Sequence, residues 1–422
     1  MAQVVKKPGV LLVTTSPLLP LNAGGRIYTW GTTAPLAGKF DYHLITLATP
    51  EELTEFEADR AGLTERYNTI FKTFQLFPRP TIPGHMSRRD VLRHLAFHTT
   101  HGLPLMDVSY YSPEVIDAAR DLVDRGLVDI LEVDHAHMAF VRRFVDSVPA
   151  ILVNHNIEGD LHPFWMTERW SLPERAVWRF FASVSRRNTR RVEIGNEYGF
   201  ASKLFISSVD ADRVSDECPK LLLPVPMEPG PRRARASTSS LTLLWLGGFD
   251  WPPNLEGIRW FLDRVWPRLS PGNGPRFALH VVGSNPPEDV TAAGNESVQV
   301  HGYVDDISDL KSRADVLIAP ILSGSGVRMK VVEALAAGLP VVATSKGAEG
   351  LTAVPGRDLL VADDEEEFAN ALQRLATDPV MWRRLSDAAQ VYVRSTHAPD
   401  VVARIKADAL ESALELSAQP SR

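Results

Sequence analysis

The stretch that decides the fold runs from Ser323 to Thr344 and reads Ser-Gly-Ser-Gly-Val-Arg-Met-Lys-Val-Val-Glu-Ala-Leu-Ala-Ala-Gly-Leu-Pro-Val-Val-Ala-Thr. Its first glycines let the backbone pass close to a ligand because they carry no side chain. Apolar residues then recur at helical spacing, and Gly338 with Pro340 marks the end of a helix. The stretch therefore predicts a flexible loop, a short helix and an apolar strand, arranged as a cradle for an anion.

The charges at the start of this helix are unusual. Arg328 and Lys330 fall in the first turn, where the positive end of the helix dipole disfavours each cation by about 0.3–1 kcal/mol. An anion bound at the same place would reverse that effect, and a diphosphate held by backbone amides and two basic side chains fits best. Glu333, one turn later, is suited to accept a hydrogen bond from a sugar hydroxyl. The alternative is that both cations point into water and Glu333 pairs with Lys330.

Length and composition bound the class of protein. At 422 residues, the chain is too long for one ordinary core and predicts two domains of roughly 200 residues each. The net charge of -7 speaks against a surface built for nucleic acid. Cys218 is the only cysteine, which excludes an intramolecular disulfide and indicates a reducing, cytoplasmic setting. No apolar run reaches the roughly 18 residues expected of a membrane-spanning helix.

Short apolar runs alternate with longer helical patterns along most of the chain, which indicates parallel sheets covered by helices on both faces. The runs are 10–14, 42–47, 130–133, 150–154, 203–207, 241–246, 278–282, 298–300, 316–319, 341–344 and 359–361. The predicted fold class is therefore α/β, with two doubly wound domains facing each other across a cleft. Ligands are expected at the carboxyl ends of the strands.

A stretch rich in proline, serine and arginine divides the chain. It leads us to expect a first domain at 1–225, a linker at 226–240 and a second domain at 241–398. Residues 399–422 have a helical pattern, and we expect them to pack back on the first domain.

Each predicted domain begins with an apolar strand that leads into a pair of glycines. The pair is Gly24-Gly25 in the first domain and Gly247-Gly248 in the second. Exposed backbone amides at such a turn can hold a phosphate or a sugar hydroxyl, although a plain connection between strand and helix has the same sequence. Asn254, shortly after the second pair, is expected to cap the next helix.

Several short motifs follow one another in order along nearly the whole chain. They are Gly24-Gly-Arg26, His155-Asn156 after a strand, Gly247-Gly-Phe-Asp-Trp-Pro-Pro-Asn254, Val282-Gly283, His301-Gly-Tyr-Val-Asp-Asp306, Ala319-Pro320 and Gly324-Ser-Gly-Val-Arg-Met-Lys-Val-Val-Glu333-Ala334. The set resembles the retaining GT-B glycosyltransferases of family 4, the glycosyl transferases group 1, in the branch that carries Gly-Ser-Gly-x-Arg-x-Lys-x-x-Glu. The resemblance implies the GT-B architecture of two Rossmann-like domains, the first binding an acceptor and the second a nucleotide sugar.

The resemblance also implies roles for single residues. Arg328 and Lys330 would hold the donor diphosphate, Glu333 would bind the ribose, and His155 would contact the transferred sugar as a catalytic helper. The other residues implied in donor binding are Gly24, Gly25, Gly248, Tyr303, Val304, Ser325 and Gly326. Many relatives have a second glutamate where this chain has Ser325, so the sugar hydroxyls that are recognised stay open.

The activity that the resemblance implies is that of a hexosyltransferase with no protein nucleophile, no metal and no cofactor beside the nucleotide-diphosphate sugar. Fixed cations and amides would stabilise the leaving diphosphate, which takes the acceptor's proton on the same face and so retains the configuration. The acceptor would belong to polysaccharide, glycoconjugate or natural-product biosynthesis. A nucleotide-sugar epimerase and a non-catalytic relative are the alternatives. A Rossmann dehydrogenase is excluded because Met329 stands where its third glycine would be.

Three aromatic side chains in the first half are expected to line the acceptor side: Tyr110, His135 and His137. Together with Asp134, the two histidines are also compatible with a metal site, although their spacing indicates no third ligand. Asp210-Ala-Asp212 has the letters of a metal-binding motif, but its position after an apolar run favours a helix cap. We therefore expect no metal.

A basic amphipathic stretch covers residues 175–191. Its arginines are Arg175, Arg179, Arg186, Arg187, Arg190 and Arg191. The pattern is suited to an anionic lipid surface, which would give a peripheral contact at the inner membrane face and favour a lipid-linked acceptor. The alternative is a helix that packs on the core and turns its basic face to water.

Overall fold

The computed structural model describes residues 6–79, 96, 109–158, 183–184, 186–215, 218–231, 235, 240–269, 275–324 and 326–418. The chain divides into two compact units. Unit 1 consists of Met1–Pro224 together with Val402–Arg422, and unit 2 consists of Val225–Val401. The described part of each unit is one parallel sheet with helices packed against it.

The sheet of unit 1 has the strand order β3-β2-β1-β4-β5-β6-β7, and all of its neighbouring strands are parallel. Its strands are β1 (Gly9–Thr14), β2 (Asp41–Ala48), β3 (Phe71–Pro78), β4 (Ile130–Asp134), β5 (Ala150–Asn154), β6 (Ser202–Phe205) and β7 (Lys220–Leu222). Every residue of β1, β4 and β5 is buried. Burial on both faces explains why these central strands are nearly continuous apolar runs in the sequence.

Four of the five described helices of unit 1 begin at a side-chain cap, and α1, which follows Ala23, does not. They are α1 (Gly24–Thr33), α2 (Pro50–Ala58), α3 (Arg60–Asn68), α4 (Pro113–Asp124) and α5 (Ser208–Ala211), with 3-10 turns at Ala34–Leu36 and Ala136–Arg143. Thr49 and Glu52 form a reciprocal capping box at the start of α2. Ser207 caps α5 through the backbone N–H of Asp210, so the Asp210-Ala-Asp212 motif serves a helix start, as its position indicates.

The sheet of unit 2 has the strand order β10-β9-β8-β11-β12-β13 and is also parallel. Its strands are β8 (Ser240–Leu246), β9 (Arg276–Val282), β10 (Val298–Gly302), β11 (Val316–Ala319), β12 (Val341–Ala343) and β13 (Leu360–Val361). The helices that follow are α6 (Pro252–Trp260), α7 (Glu288–Ala292), α8 (Ser308–Arg313), α9 (Met329–Ala336), α10 (Glu365–Thr377), α11 (Pro379–Thr396) and α12 (Pro399–Ala418). A π-helical turn, Phe261–Val265, and a 3-10 turn, Trp266–Arg268, extend α6.

The predicted α/β class with two doubly wound parallel sheets is confirmed, and each predicted apolar run overlaps a strand. Two strands were missing from the prediction, β3 and β7. Both are edge strands, and their residues are mostly exposed or half-buried. Because these two strands are covered less completely than the central ones, they lack the continuous apolar run that identifies a central strand.

Two segments at the unit boundaries are held by specific contacts. In the predicted linker, Gly230 donates its N–H to Ala336 O of α9 at 2.8 Å, and the Gln390 amide donates to Gly230 O at 3.0 Å. This part of the linker is therefore packed on unit 2. In α12, the buried Lys406 pairs with Glu132 of β4 at 2.5 Å and donates to Thr33 Oγ1 at 2.9 Å.

The strand order of each sheet reverses at one place, between β1 and β4 in unit 1 and between β8 and β11 in unit 2. Loops that leave the two strands at such a point diverge, and the crevice at the carboxyl ends of the strands is where open α/β sheets bind ligands. Among the described helices, none has the length and apolar content to cross a membrane.

Candidate functional site

The loops at the switch point of unit 2 bring the predicted diphosphate residues together. Arg328 is the N-cap of α9, and Lys330 lies in its first turn. Gly324 and Gly326 precede them with φ values of 92° and 85°, a left-handed conformation that favours glycine. The loop packs closely on α6, since a Cβ at Gly257 would lie 1.9 Å from Pro320 O.

Lys330 is held by neutral groups. Its Nζ donates to Leu246 O at 2.7 Å and to Asn254 Oδ1 at 3.0 Å, and it lies 5.3 Å from the centre of the Trp245 ring. Burial lowers the pKa of Lys330 to about 7, and the nearby Arg328 guanidinium contributes. The ammonium is thus desolvated at the helix end, where an anionic ligand would interact with it strongly.

Arg328 and Glu333 each have a protein partner. Arg328 Nη2 donates to Ser323 O at 3.3 Å, and burial lowers the pKa of this arginine although Glu349 opposes the shift. Glu333 forms an ion pair with Lys311 Nζ of α8 at 2.7 Å. The alternative of a pair between Glu333 and Lys330 is therefore wrong.

The Gly247-Gly248 turn is tied to α6 by Asn254. The expected cap is wrong, because the N-cap of α6 is Trp251 and the two prolines that follow it occupy the first helical positions. Asn254 instead lies inside the first turn and donates from Nδ2 to Gly248 O at 3.0 Å. A side chain at Gly248 would meet only Ser284 Oγ at 3.6 Å, so the surface above this residue is open within unit 2.

The residues expected at the nucleotide base differ in exposure. Tyr303 is 74% exposed, which leaves its ring available for stacking. Val304 is partly buried and packs against the apolar cluster below α9. Gly302, just before them, has a φ of 66°. Ser325, the remaining donor-site residue of the prediction, lies outside the described part of the chain.

The switch point of unit 1 forms a small cavity of about 220 Å³. It is lined by Thr14, Thr15, Ser16, Leu18, Ala23, Gly25, Arg26, Thr29, Asp134 and His135. Gly24 and Gly25 open α1 beside it, and a Cβ at Gly25 would lie 3.7 Å from His155 Nδ1. The glycine pair of the first domain therefore lies near the predicted helper histidine.

His155 is fixed by a buried carboxylate. Its Nε2 lies 2.8 Å from Asp134 Oδ1, and Thr29 Oγ1 donates to Asp134 Oδ2 at 2.8 Å. Burial by itself would raise the pKa of Asp134, but His155 and these hydrogen bonds outweigh it and hold the pKa below its ordinary value. The Tyr28 ring packs edge-on against His155 at 4.8 Å. Asp134 thus fixes the orientation of the imidazole, a role that sequence reasoning did not assign to it.

His135 has a strained backbone. Its φ is 75°, a value that costs a side-chain-bearing residue about 1–3 kcal/mol and is found mostly at functional sites. Its ring stacks on His155 with 3.8 Å between centroids and 26° between planes. Burial, followed by the neighbouring His155, lowers the pKa of His135 to about 4.

Asp134, His135 and His155 form a cluster of potential metal ligands within 4.8 Å of one another. An imidazole binds a metal in the plane of its ring at about 2.1 Å. Two rings stacked 3.8 Å apart and nearly parallel have no common point that meets this condition. The arrangement therefore suits a hydrogen-bonded pair with a stacked neighbour better than a metal site.

His137 and Tyr110 form a separate stack. Their rings lie 4.9 Å apart and 6° from parallel, with the Arg79 guanidinium 4.0 Å from the centre of the Tyr110 ring. His137 Nε2 also lies 3.5 Å from Glu158 Oε2. Of the three expected acceptor-side residues, His135 lines the cavity and the other two belong to this stack.

The described arginines of the basic stretch surround a second concavity of unit 1, about 480 Å³ in volume. Its lining residues include Arg186, Arg187, Arg190 and Arg191. The buried residues Thr189 and Val192 lie on the opposite side of this helical turn. Arg175 and Arg179 fall outside the described part of the chain.

The chain is similar to known proteins in sequence and in fold. Residues 240–378 match the family model described as Glycosyl transferases group 1. An "Uncharacterized 44.6 kDa protein in cps region" from Klebsiella pneumoniae is 28% identical over 252 residues. That alignment covers 57% of this chain and 63% of the Klebsiella protein, so it spans less than two thirds of the relative.

Several solved structures share the fold over both sheets. Sucrose-phosphate synthase from Thermosynechococcus elongatus is 15% identical with a TM-score of 0.65, covering 97% of this chain and 100% of that one. Anabaena Alr3699/HepE, solved in complex with UDP, is 14% identical with a TM-score of 0.63 and coverages of 96% and 100%. A glycosyltransferase from Rickettsia africae is 11% identical with a TM-score of 0.59 and coverages of 97% and 100%. The chain therefore has the GT-B fold of these structures, and its residues 240–378 match the group 1 glycosyltransferases.

Proposed function

We propose that this protein is a retaining, metal-independent hexosyltransferase that moves a sugar from a nucleotide-diphosphate sugar to a hydroxyl acceptor. The observation that carries the proposal is the placement of Arg328 and Lys330 at the start of α9, beside the open Gly248 turn. Two cations at the positive end of a helix are unfavourable without an anion. A donor diphosphate would supply that anion.

The same residues would stabilise the leaving group. Negative charge builds up on the diphosphate as the anomeric bond breaks, and fixed donors in a desolvated place stabilise it without rearranging. Lys330 is positioned by Leu246 O and Asn254, and an ammonium has a third N–H for a phosphate oxygen. Positive charge from side chains would thus take the part that a divalent metal takes in other transferases.

The donor assignment has further support in unit 2. Glu333 keeps one oxygen on Lys311, which leaves the other for a ribose hydroxyl, and the exposed Tyr303 ring suits a base. One structurally similar protein was solved in complex with UDP-glucose. We take a uridine diphosphate sugar as the first donor to test.

In unit 1, we assign His155 to the sugar hydroxyls near the reacting centre. Asp134 holds its Nε2, so the ring presents its other nitrogen in one orientation. A leaving phosphate oxygen would accept the acceptor's proton on the same face of the sugar, and the configuration at the anomeric carbon would be retained. His135 and the small cavity beside it are proposed to receive part of the acceptor.

The acceptor is proposed to belong to surface polysaccharide assembly on the cytoplasmic side of the membrane. The relative from Klebsiella pneumoniae is named for a cps region, and Arg186, Arg187, Arg190 and Arg191 offer a basic surface for anionic lipid. Liposome flotation tests this contact. Flotation that persists after all four arginines are replaced by glutamine, or that never occurs with the unmodified protein, would contradict it.

The donor site is tested by thermal shift with UDP-, GDP-, ADP- and dTDP-sugars, on the unmodified protein and on Arg328→Ala. We expect one nucleotide class to raise the melting temperature and Arg328→Ala to abolish the rise. No rise with any nucleotide would overturn the proposal. Incubation with donor alone separates the epimerase alternative, since an epimerase converts the donor sugar without an acceptor.

A further inference from the structure

Asn254 is the only described residue that hydrogen-bonds both to the Gly247-Gly248 turn and to the Lys330 ammonium. It is half-buried in the first turn of α6. Its Nδ2 donates to Gly248 O at 3.0 Å, and its Oδ1 accepts from Lys330 Nζ at 3.0 Å. Both ends of one planar amide are therefore used, and the turn and the ammonium cannot move independently.

Close packing restricts this amide further. A Cβ at Gly247 would lie 2.8 Å from Asn254 Nδ2 and 2.9 Å from its Cγ, so the amide rests directly on the glycine backbone. The turn itself is fixed on its other side, where Gly247 N donates to Val282 O at 3.0 Å. With the turn fixed, the direction in which Oδ1 faces Lys330 is fixed as well.

The neutral charge of the amide matters for the ammonium. An aspartate at this position would form an ion pair with Lys330 and cancel much of the charge that a diphosphate would meet. An amide oxygen orients the ammonium by a hydrogen bond and leaves its charge in place. Three carboxylates of the surrounding segments have partners of their own: Glu256 accepts from Ser323, Glu333 pairs with Lys311 and Glu349 pairs with Lys346. Arg328 is the charged neighbour that acts on the ammonium.

We propose that Asn254 is a positioning residue for nucleotide diphosphates: it holds the Lys330 ammonium and the Gly248 carbonyl in the binding arrangement while leaving the ammonium charge available. This inference rests on the donor site proposed above. It adds a residue that touches no reacting atom and acts through Lys330.

The experiment measures UDP binding by isothermal titration calorimetry for the unmodified protein, Asn254→Ala and Asn254→Asp, at about pH 6 and about pH 8.5. Burial lowers the pKa of Lys330 to about 7, so the free protein loses this proton over the range and its UDP affinity should fall as the pH rises. The charge on the UDP phosphates also changes between the two pH values, but at each pH it is the same for every variant. Differences between variants therefore report on the protein.

We expect Asn254→Ala to bind UDP about tenfold more weakly at both pH values, since a hydrogen bond to a charged group is lost. Asn254→Asp should also bind more weakly at the lower pH, but its affinity should fall less with pH because a carboxylate keeps Lys330 protonated. Asn254→Asp with the same pH dependence as the unmodified protein, or an Asn254→Ala affinity equal to the unmodified one, would overturn the inference. Absence of UDP binding by the unmodified protein would instead overturn the proposed donor site.

Discussion

The switch points of the two units differ in how their charged side chains are partnered. In unit 1, the buried Asp134 carboxylate faces His155 at 2.8 Å and receives a hydrogen bond from Thr29, so charge and hydrogen bonds are satisfied within the protein. In unit 2, the described hydrogen-bond partners of the half-buried Lys330 are two neutral oxygens. The first arrangement fixes the orientation of a side chain, and the second keeps a positive charge ready for a ligand.

The difference suggests separate roles: the groups of unit 1 position a side chain, and the groups of unit 2 bind a ligand. A carboxylate next to an imidazole restricts the ring at little electrostatic cost, because the two groups stabilise each other. Burial and the neighbouring guanidinium weaken the charged form of Lys330 and lower its pKa to about 7, and a bound anion would stabilise that form. We therefore expect changes in unit 2 to act on donor affinity and on the leaving group, and changes in unit 1 to act on turnover.

The largest effects are expected from Arg328→Ala and Lys330→Ala. Each should lower kcat/KM by an amount equivalent to about 2–4 kcal/mol, because each removes a positive charge that would stabilise the negative charge developing on the diphosphate. Steady-state kinetics with the donor found in the nucleotide panel measures this. Arg259→Ala is the matched control, since Arg259 is an exposed arginine of unit 2 paired with Asp289, and near-normal kinetics in all three variants would remove the assigned mechanism.

Asp134→Asn should act next most strongly, and on kcat. Loss of the carboxylate lets the His155 ring move, and small misplacements of a catalytic group cost up to about a hundredfold in rate. Donor KM should stay close to normal, because the diphosphate residues are untouched. Asp129→Asn is the control, since Asp129 accepts from Gly9 N at 2.7 Å at the other end of the same strands and should affect only stability. An unchanged kcat in Asp134→Asn would contradict the positioning role.

A pair of glycine substitutions compares the two units directly. Gly247→Ala places a Cβ 2.8 Å from the Asn254 amide, so we expect UDP affinity to fall about tenfold, or roughly 1.4 kcal/mol. Gly25→Ala brings only ordinary contacts of 3.7 Å and 3.8 Å with the His155 ring, so the protein should fold and bind UDP normally. Turnover should still fall, because the added methyl group stands between His155 and the cavity that Gly25 lines. Calorimetry with UDP and initial rates give both quantities. Equal effects of the two substitutions on UDP affinity would contradict the assignment of donor binding to unit 2 alone.

The smallest effect is expected from Lys311→Ala. The Lys311–Glu333 pair is partly exposed, with 29% and 37% of the two side chains accessible, and such pairs contribute about 0.2–1 kcal/mol. Donor KM should rise about twofold because Glu333 is held less firmly for the ribose. Arg313→Ala on the same helix, which breaks an exposed pair with Asp309, should leave KM unchanged. A Lys311→Ala KM equal to that of the control would show that the pair does not orient Glu333.

The sequence predicted the central strands and the order of the glycine-rich loops well, because burial on both faces imposes long apolar runs. It also indicated the candidate site at the start of α9, since Arg328 and Lys330 stand where the helical pattern begins; the structure makes Arg328 the N-cap and places Lys330 in the first turn. The edge strands β3 and β7 were missed for the opposite reason: β3 mixes polar with apolar residues and is exposed over part of its length, and β7 is only half-buried or exposed.

The partners of the site residues were not predictable, because they come from distant parts of the chain. Asp134 precedes His135 in the sequence and was read only as a possible metal ligand, whereas its contact with His155 arises from the pairing of β4 with β5. Asn254 resembled a helix cap because it follows two prolines. Only the packing of α6 against the β8 loop turns its side chain toward Lys330.

The return of α12 to unit 1 has a consequence for how the protein is made. Glu132 of β4 is buried with Lys406 as its ion partner, and a buried carboxylate without its counter-charge costs about 3–5 kcal/mol. During synthesis β4 leaves the ribosome long before α12 does, with the whole of unit 2 in between. Unit 1 therefore completes its core after unit 2 has been translated, although it begins first, and residues 1–224 expressed alone should lack the stabilisation that α12 gives to unit 1 in the full chain.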